Sequence, residues 1–148
     1  MDQPEFWIIH DAAYDCLTEV DGDPMQLDEP VRTVALILVG QGAIDNGGLK
    51  YFFENAWPDG VEYSHFVDAY ARIGHVEGAE SIRHAASSFG VPDPENHLDL
   101  RRSFMRANYD SDTYCVKGWD NSLCGDERVY SLLVDWVRIN NGGIFELE

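Results

Sequence analysis

Between residues 31 and 44, only Arg32, Thr33 and Gln41 interrupt a run of apolar residues and glycine, and the run has no period of two. A stretch that is apolar on every side reads as a buried helix rather than a half-exposed strand. Pro30 stands where a first helical turn tolerates proline. Asn46, Gly47 and Gly48 mark the end, because asparagine and glycine accept the left-handed backbone that closes a helix. Leu49, Phe52 and Phe53 then recur at i, i+3 and i+4, the spacing of one side of a second, short helix. The unit is predicted to be a helical hairpin that carries a large aromatic payload at the centre of the molecule.

The same periodicity organises the flanks. Phe6, Ile9, Ala13, Leu17 and Val20 give residues 5–20 one apolar face, with Asp11, Asp15 and Glu19 opposite it. Asp21, Gly22, Asp23 and Pro24 end that helix, since aspartate, glycine and proline favour a turn. Phe66, Tyr70 and Ile73 predict a helix over 61–73 stopped by Gly74, and Ala79, Ile82, Ala86 and Phe89 another over 76–89. Pro94 and Glu95 are read as opening a helix in which Leu98, Arg101, Arg102, Met105 and Arg106 mix apolar and basic positions. Residues 108–121 lack a sustained period and are expected to form an ordered loop with at most a short strand at 113–116. Val129, Leu132, Leu133, Trp136 and Val137 share a face of a last helix, from about 126 to 139. It ends in Asn140-Asn141-Gly142-Gly143, an echo of the central stop that predicts the same backbone device. The expectation is all-α: a single compact domain over residues 1–148, with six to seven helices around the central hairpin.

Composition changes this picture mainly through charge. A chain of 148 residues with 45% hydrophobic residues can bury roughly 70% of its unfolded surface, which suits a globular protein. Against that ordinary background, 27 acids and 10 lysines and arginines leave a formal net charge of -17. Such a balance disfavours binding to nucleic acid or to an anionic membrane, and an electrostatic partner should be basic. The N-terminus has no basic stretch and no run of about 18 apolar residues occurs, so neither a leader nor a membrane span is expected, and a cytoplasmic location follows. Cys16, Cys115 and Cys124 are odd in number and contain no Cys-x-x-Cys, which argues for reduced thiols rather than disulfides or structural zinc.

Candidate chemistry is sparse. No two of the five histidines stand at the His-Glu-x-x-His spacing, and His75-Val76-Glu77 lacks the downstream cysteine pair of a zinc deaminase. Gly40-Gln41-Gly42 lacks the third glycine of a dinucleotide fingerprint. Ser64 with His65, and Ser87 with Ser88, lack a readable oxyanion hole. No catalytic residue, metal or cofactor is therefore expected. Tyr51, Phe52, Phe53 and Trp57 are read as core, and Arg101, Arg102 and Arg106 as internal partners of the surplus acids. The acidic face remains. Asp11, Asp15 and Glu19 span about 12 Å, or one charge per ~6 Å, against one phosphate per ~3.4 Å of a DNA strand. A comparable field needs Asp21, Asp23, Asp28 and Glu29 as well, and the acids of a second subunit in a homodimer; otherwise the face is simply solvated.

The decapeptide Asn46-Gly47-Gly48-Leu49-Lys50-Tyr51-Phe52-Phe53-Glu54-Asn55 carries a resemblance. It is similar to the Asn-Gly-Gly-aromatic-x-x-Phe/Tyr-Phe-x-Asn pattern of a bacterial domain family of unknown function, typified by the helical domain of an acidic DNA-mimic protein. Leu49 stands at the aromatic position, while Asn46, Gly47, Gly48, Phe52, Phe53 and Asn55 keep the pattern. With Tyr70-Ala71-Arg72-Ile73-Gly74, Ala79, Ile82 and Ala85 the likeness extends over a core of about residues 31–89. The resemblance implies an all-helical domain without catalytic residues. It also implies a basic DNA-binding partner, such as a transcriptional regulator or nucleoid protein. Asp11, Asp15, Glu19, Asp21 and Asp23 are the expected contacts. Two other classes stay open: an immunity or antitoxin inhibitor of a basic toxin, and an enzyme with an unrecognised site. For the core, Phe52→Ala is expected to cost about 3 to 5 kcal/mol in denaturant melts, and a near-neutral change would put that ring on the surface.

Overall fold

The computed structural model describes residues 3–111 and 115–147. Among them the helices are α1 (Pro4–Glu19), α2 (Val31–Glu54), α3 (Tyr63–Arg72), α4 (Val76–Ser87), α5 (Leu98–Asn108) and α6 (Arg128–Asn140). Short 3-10 turns lie at Pro24–Gln26 and Pro94–Asn96. The strands β1 (Tyr109–Asp110) and β2 (Cys115–Val116) form a two-residue antiparallel pair with Tyr109 opposite Val116. The class is all-α. Of the strand expected over 113–116, Cys115 and Val116 are found in β2, whereas residues 113 and 114 lie outside the described residues.

The ends of α1 and α2 follow from local chemistry. After α1, Asp21 (φ 54°) and Gly22 (φ 80°) adopt left-handed backbone, and the Gly22 N–H donates 2.8 Å to the Leu17 carbonyl, closing the last turn. In α2 the backbone leaves helical geometry at Gly47 (φ -168°, ψ 23°) and Gly48 (φ 71°, ψ -170°), where the stop was predicted. Gly48 alone takes the left-handed φ there, and Asn46 remains helical. A Cβ on Gly40 would lie 3.6 Å from the Phe52 ring, although twelve residues of continuous helix would separate the two by about 18 Å. The chain has therefore turned back, as a hairpin requires.

The core gathers on this hairpin. Phe52 and Phe53 are fully buried and meet Tyr63, Phe66, Phe89 and Trp119 at centroid distances from 4.7 to 5.6 Å. Tyr51 is 49% exposed and lies outside the core expected for it, because it follows Lys50 onto the outer side of the same turn. In α4 the buried stripe is Gly78, Ala79, Ile82 and Ala85, with Ala86 half-buried at its edge. In α6, Val129, Leu133, Val134 and Val137 form the core face, leaving Leu132 and Trp136 half-buried beside it. The two Gly-Gly stops do not share one device, since Gly142 and Gly143 are both left-handed (φ 60° and 85°).

The arginine cluster departs from expectation most. Arg101 is 1% exposed and donates to three main-chain carbonyls: Nε to Phe53 (2.8 Å), Nη1 to Pro94 (2.6 Å) and Nη2 to Asn55 (3.0 Å). Arg102 Nε reaches the Glu54 carbonyl at 3.1 Å. The orphan carbonyls of a helix C-terminus carry partial negative charge, so they compete with carboxylates for a guanidinium and here replace them. This also explains why α5 begins at Leu98 rather than Pro94. The 3-10 turn at Pro94–Asn96 and the non-helical His97 (φ -129°, ψ 67°) leave the Pro94 carbonyl facing Arg101. Arg101→Met keeps much of the volume but strands the Phe53 and Asn55 carbonyls, each worth about 1 to 3 kcal/mol when left unbonded, while the Pro94 carbonyl keeps the His97 N–H at 3.0 Å. A loss of about 3 to 5 kcal/mol is expected in denaturant melts; a change below about 1 kcal/mol would mean that water replaces the guanidinium.

Candidate functional site

On α1, Asp11, Asp15, Glu19 and, just beyond it, Asp21 are exposed. Asp11 Oδ1 lies 3.0 Å from His10 Nδ1. Among the described residues, no hydrogen bond or ion pair holds the side chains of Asp15, Glu19 or Asp21. Asp23 differs: half-buried, it accepts the Met25 N–H at 3.0 Å and Gln26 Nε2 at 3.4 Å, so it caps the turn that follows. Glu29 is also engaged, by the Thr33 N–H and hydroxyl (both 2.9 Å) and Arg72 (3.3 Å). Helix α1 contains no lysine or arginine. Arg138 of α6 grips Glu5 at 3.0 and 2.6 Å and holds that carboxyl below the usual range by hydrogen bonding.

The motif residues sit at the break in α2. An alanine at Gly48 would be strained by its φ and would meet Asn121 Oδ1 at 2.6 Å. A Cβ on Gly47 would come within 2.7 Å of Tyr51 Cβ. Phe52 and Phe53 point into the core, and Asn55 closes the helix with its carbonyl on Arg101. Outside the break is an open cavity of about 580 Å³ lined by Asn46, Gly48, Lys50, Tyr109 and Asn121 among others. Its one ammonium, on Lys50, is paired with Glu54 and lies 4.9 Å from the centre of the Tyr109 ring. The motif therefore builds structure first.

Beside it runs a polar network that sequence reasoning missed. Tyr70 donates 2.6 Å to Gln41 Oε1, and Gln41 Nε2 donates to Asp45 Oδ1 (2.8 Å) and the Leu123 carbonyl (2.7 Å). Asp45 also accepts from the Gly125 N–H (2.8 Å) and the Tyr130 hydroxyl (3.0 Å). Burial pushes the Tyr70 and Tyr130 hydroxyls up, and the Asp45 carboxylate pushes Tyr130 further, so both stay protonated donors rather than bases. The signal was the polar Gln41 within the apolar run.

The histidine and serine candidates resolve into caps. His75 is buried, its Nδ1 accepts the Gly78 N–H at 2.9 Å, and its Nε2 meets Asp126 at 2.9 Å. Burial raises the Asp126 carboxyl, yet the hydrogen bonds from His75 and the Arg128 N–H outweigh it and leave the group below its ordinary value. His65 closes a capping box with Glu62, while Ser87 and Ser88 bond the His84 carbonyl. Among the described residues no group of three or more His, Cys, Asp or Glu is placed to hold a metal ion, and no helix is long and apolar enough to cross a membrane.

Against known proteins, the family described as DMP19-like protein matches residues 25–140. The chain belongs to the DMP19-like family. No curated protein and no solved structure matches it. The DMP19-like segment contains the motif, the Arg101 anchor and the Asp45 network, and extends well past the core of residues 31–89 read from the sequence. Helix α1 and Asp11, Asp15, Glu19, Asp21 and Asp23 precede the matched segment. Within the segment, Gly48→Ala is expected to cost about 2 kcal/mol or more, as forced left-handed backbone costs ~1 to 3 kcal/mol before the clash is counted. Gly42→Ala, whose Cβ meets nothing within 4 Å, should gain up to about 1 kcal/mol of helix propensity. Thermal melts that rank the two alike would contradict the assignment of the break.

Proposed function

We propose that this protein is a non-catalytic binding domain that lays its N-terminal acidic surface on the DNA-binding surface of a basic protein, such as a transcriptional regulator or nucleoid protein. The observation that carries the reading is the row on α1. Asp15, Glu19 and the neighbouring Asp21 are exposed and unengaged among the described residues, on a helix without a cation, in a chain of net charge -17. These carboxylates can meet a partner without breaking any internal contact. The spacing is more dilute than that of DNA, so mimicry here means a matching sign and a matching face rather than a phosphate-by-phosphate copy.

Association through such a surface forms fast and weakens as salt rises, since charge steering is screened beyond about 8 Å at physiological ionic strength. The salt slope is shallower than that of DNA, because sparse carboxylates condense fewer counterions to release. Pull-down with mass spectrometry identifies the partner, and a basic nuclease toxin among the captured proteins points to the inhibitor class instead. The variant Asp11→Asn, Asp15→Asn, Glu19→Gln should keep its melting temperature and bind that partner at least about tenfold more weakly, a loss of about 1.4 kcal/mol. Unchanged binding at both low and physiological salt would leave α1 a solvated face and end this reading.

A further inference from the structure

Between α1 and α6, over α2, lies a groove of about 480 Å³ that shares Asp45 with the cavity at the motif. One wall is a ladder of rings along α1: Phe6 to Trp7 at 5.1 Å, Trp7 to His10 at 5.2 Å and His10 to Tyr14 at 4.7 Å between centroids. Tyr130 of α6 closes the end at 4.8 Å from Phe6. Trp7 is 49% exposed and Tyr14 38%, and both line the opening. Among the described residues, the charged ones lining the groove are Asp45 and Glu127, and no lysine or arginine joins them. The floor is Gly42, where a Cβ would meet nothing within 4 Å.

We infer that this groove receives a cationic side chain, above all an arginine, from the basic partner of the acidic surface. Aromatic faces attract a cation through their quadrupoles, and exposed Glu127 supplies a carboxylate at the rim. A planar guanidinium can stack on Trp7 or Tyr14 while donating to that carboxylate, which an ammonium does less well. An apolar occupant would desolvate the Glu127 carboxylate without a partner, and an anion would be repelled. A second copy would bring another net charge of -17 to the same opening.

This inference rests on the proposed binding of a basic protein and adds an anchor to it. Trp7, Asp11, Asp15 and Glu19 follow one another at i+4, so the exposed ring heads the same row as the carboxylates. The row is about 18 Å long, the reach of about five or six extended residues. An arginine seated in the groove therefore places the basic residues that follow it along Asp11, Asp15 and Glu19.

The test is an amide and indole NMR titration of the full chain at physiological salt. The probe is the acetylated, amidated peptide Gly-Arg-Gly-Lys-Gly-Lys, and its citrulline counterpart is the control. Saturable shifts are expected at the Trp7 indole and at Tyr14, Gly125 and Glu127, with the citrulline peptide at least about fivefold weaker. Trp7→Ala and Gly42→Leu, which fills the floor while sparing every ring and charge, should each weaken the arginine peptide at least about fivefold. If both variants bind like the parent while neutralising Asp11, Asp15 and Glu19 weakens binding, the groove assignment falls and the acidic surface stands. If the neutralised variant also binds unchanged, both fall. If only the groove variants weaken, the anchor holds and the row does not. Equal affinity for the citrulline peptide overturns the cation assignment. Groove shifts that depend on protein concentration without peptide would give the groove to a second copy and overturn it too.

Discussion

A guanidinium taken out of water must find replacements for the hydrogen bonds it gives up, and the C-terminal side of this molecule is arranged around that demand. Arg101 finds carbonyls rather than carboxylates, two at the end of α2 and one on the 3-10 turn before α5. Each acceptor constrains another element. The end of the Phe52-Phe53 helix, the entry to α5 and the Tyr63 ring, 5.6 Å from the guanidinium carbon, are fixed by one side chain. Removing a buried charge of this kind harms more than its pairing stabilises, because its acceptors remain buried.

The same choice shapes the electrostatics. A chain short of cations spends Arg101, Arg102 and Arg32 on main-chain oxygens, and sets Arg72, Arg83, Arg128 and Arg138 against acids of other elements or of the same surface turn. Little positive charge is left to offset α1. The acidity of that helix thus reflects where the arginines went as much as where the aspartates stand.

Helical periodicity was legible wherever an apolar face met solvent on the other side, as in α1, α3 and α6, because burial enforces the 3.6-residue repeat. The hairpin was legible through its glycines, since the backbone at Gly48 excludes a side chain whatever surrounds it. Contacts between distant residues were hidden. Nothing near Arg101 in the sequence announces that its acceptors are Phe53 and Asn55, and nothing near Gln41 announces Leu123. The aromatic groove was hidden for a third reason. Trp7, His10 and Tyr14 lie between the apolar and acidic faces of α1, and a two-faced reading of a helix has no place for such a stripe.

The Asp45 network has a consequence for how the molecule comes together. Its links from Gln41 to Leu123 and from Asp45 to Gly125 and Tyr130 each join residues about 80 positions apart in the chain. Closing a loop of that length costs about 4 kcal/mol of chain entropy, but the cost is met once, by whichever link forms first. The others then form almost without further entropic loss, and they are lost together. Residues 121–130 and the start of α6 are therefore a cooperative unit, docking on α2 as one body and leaving it as one.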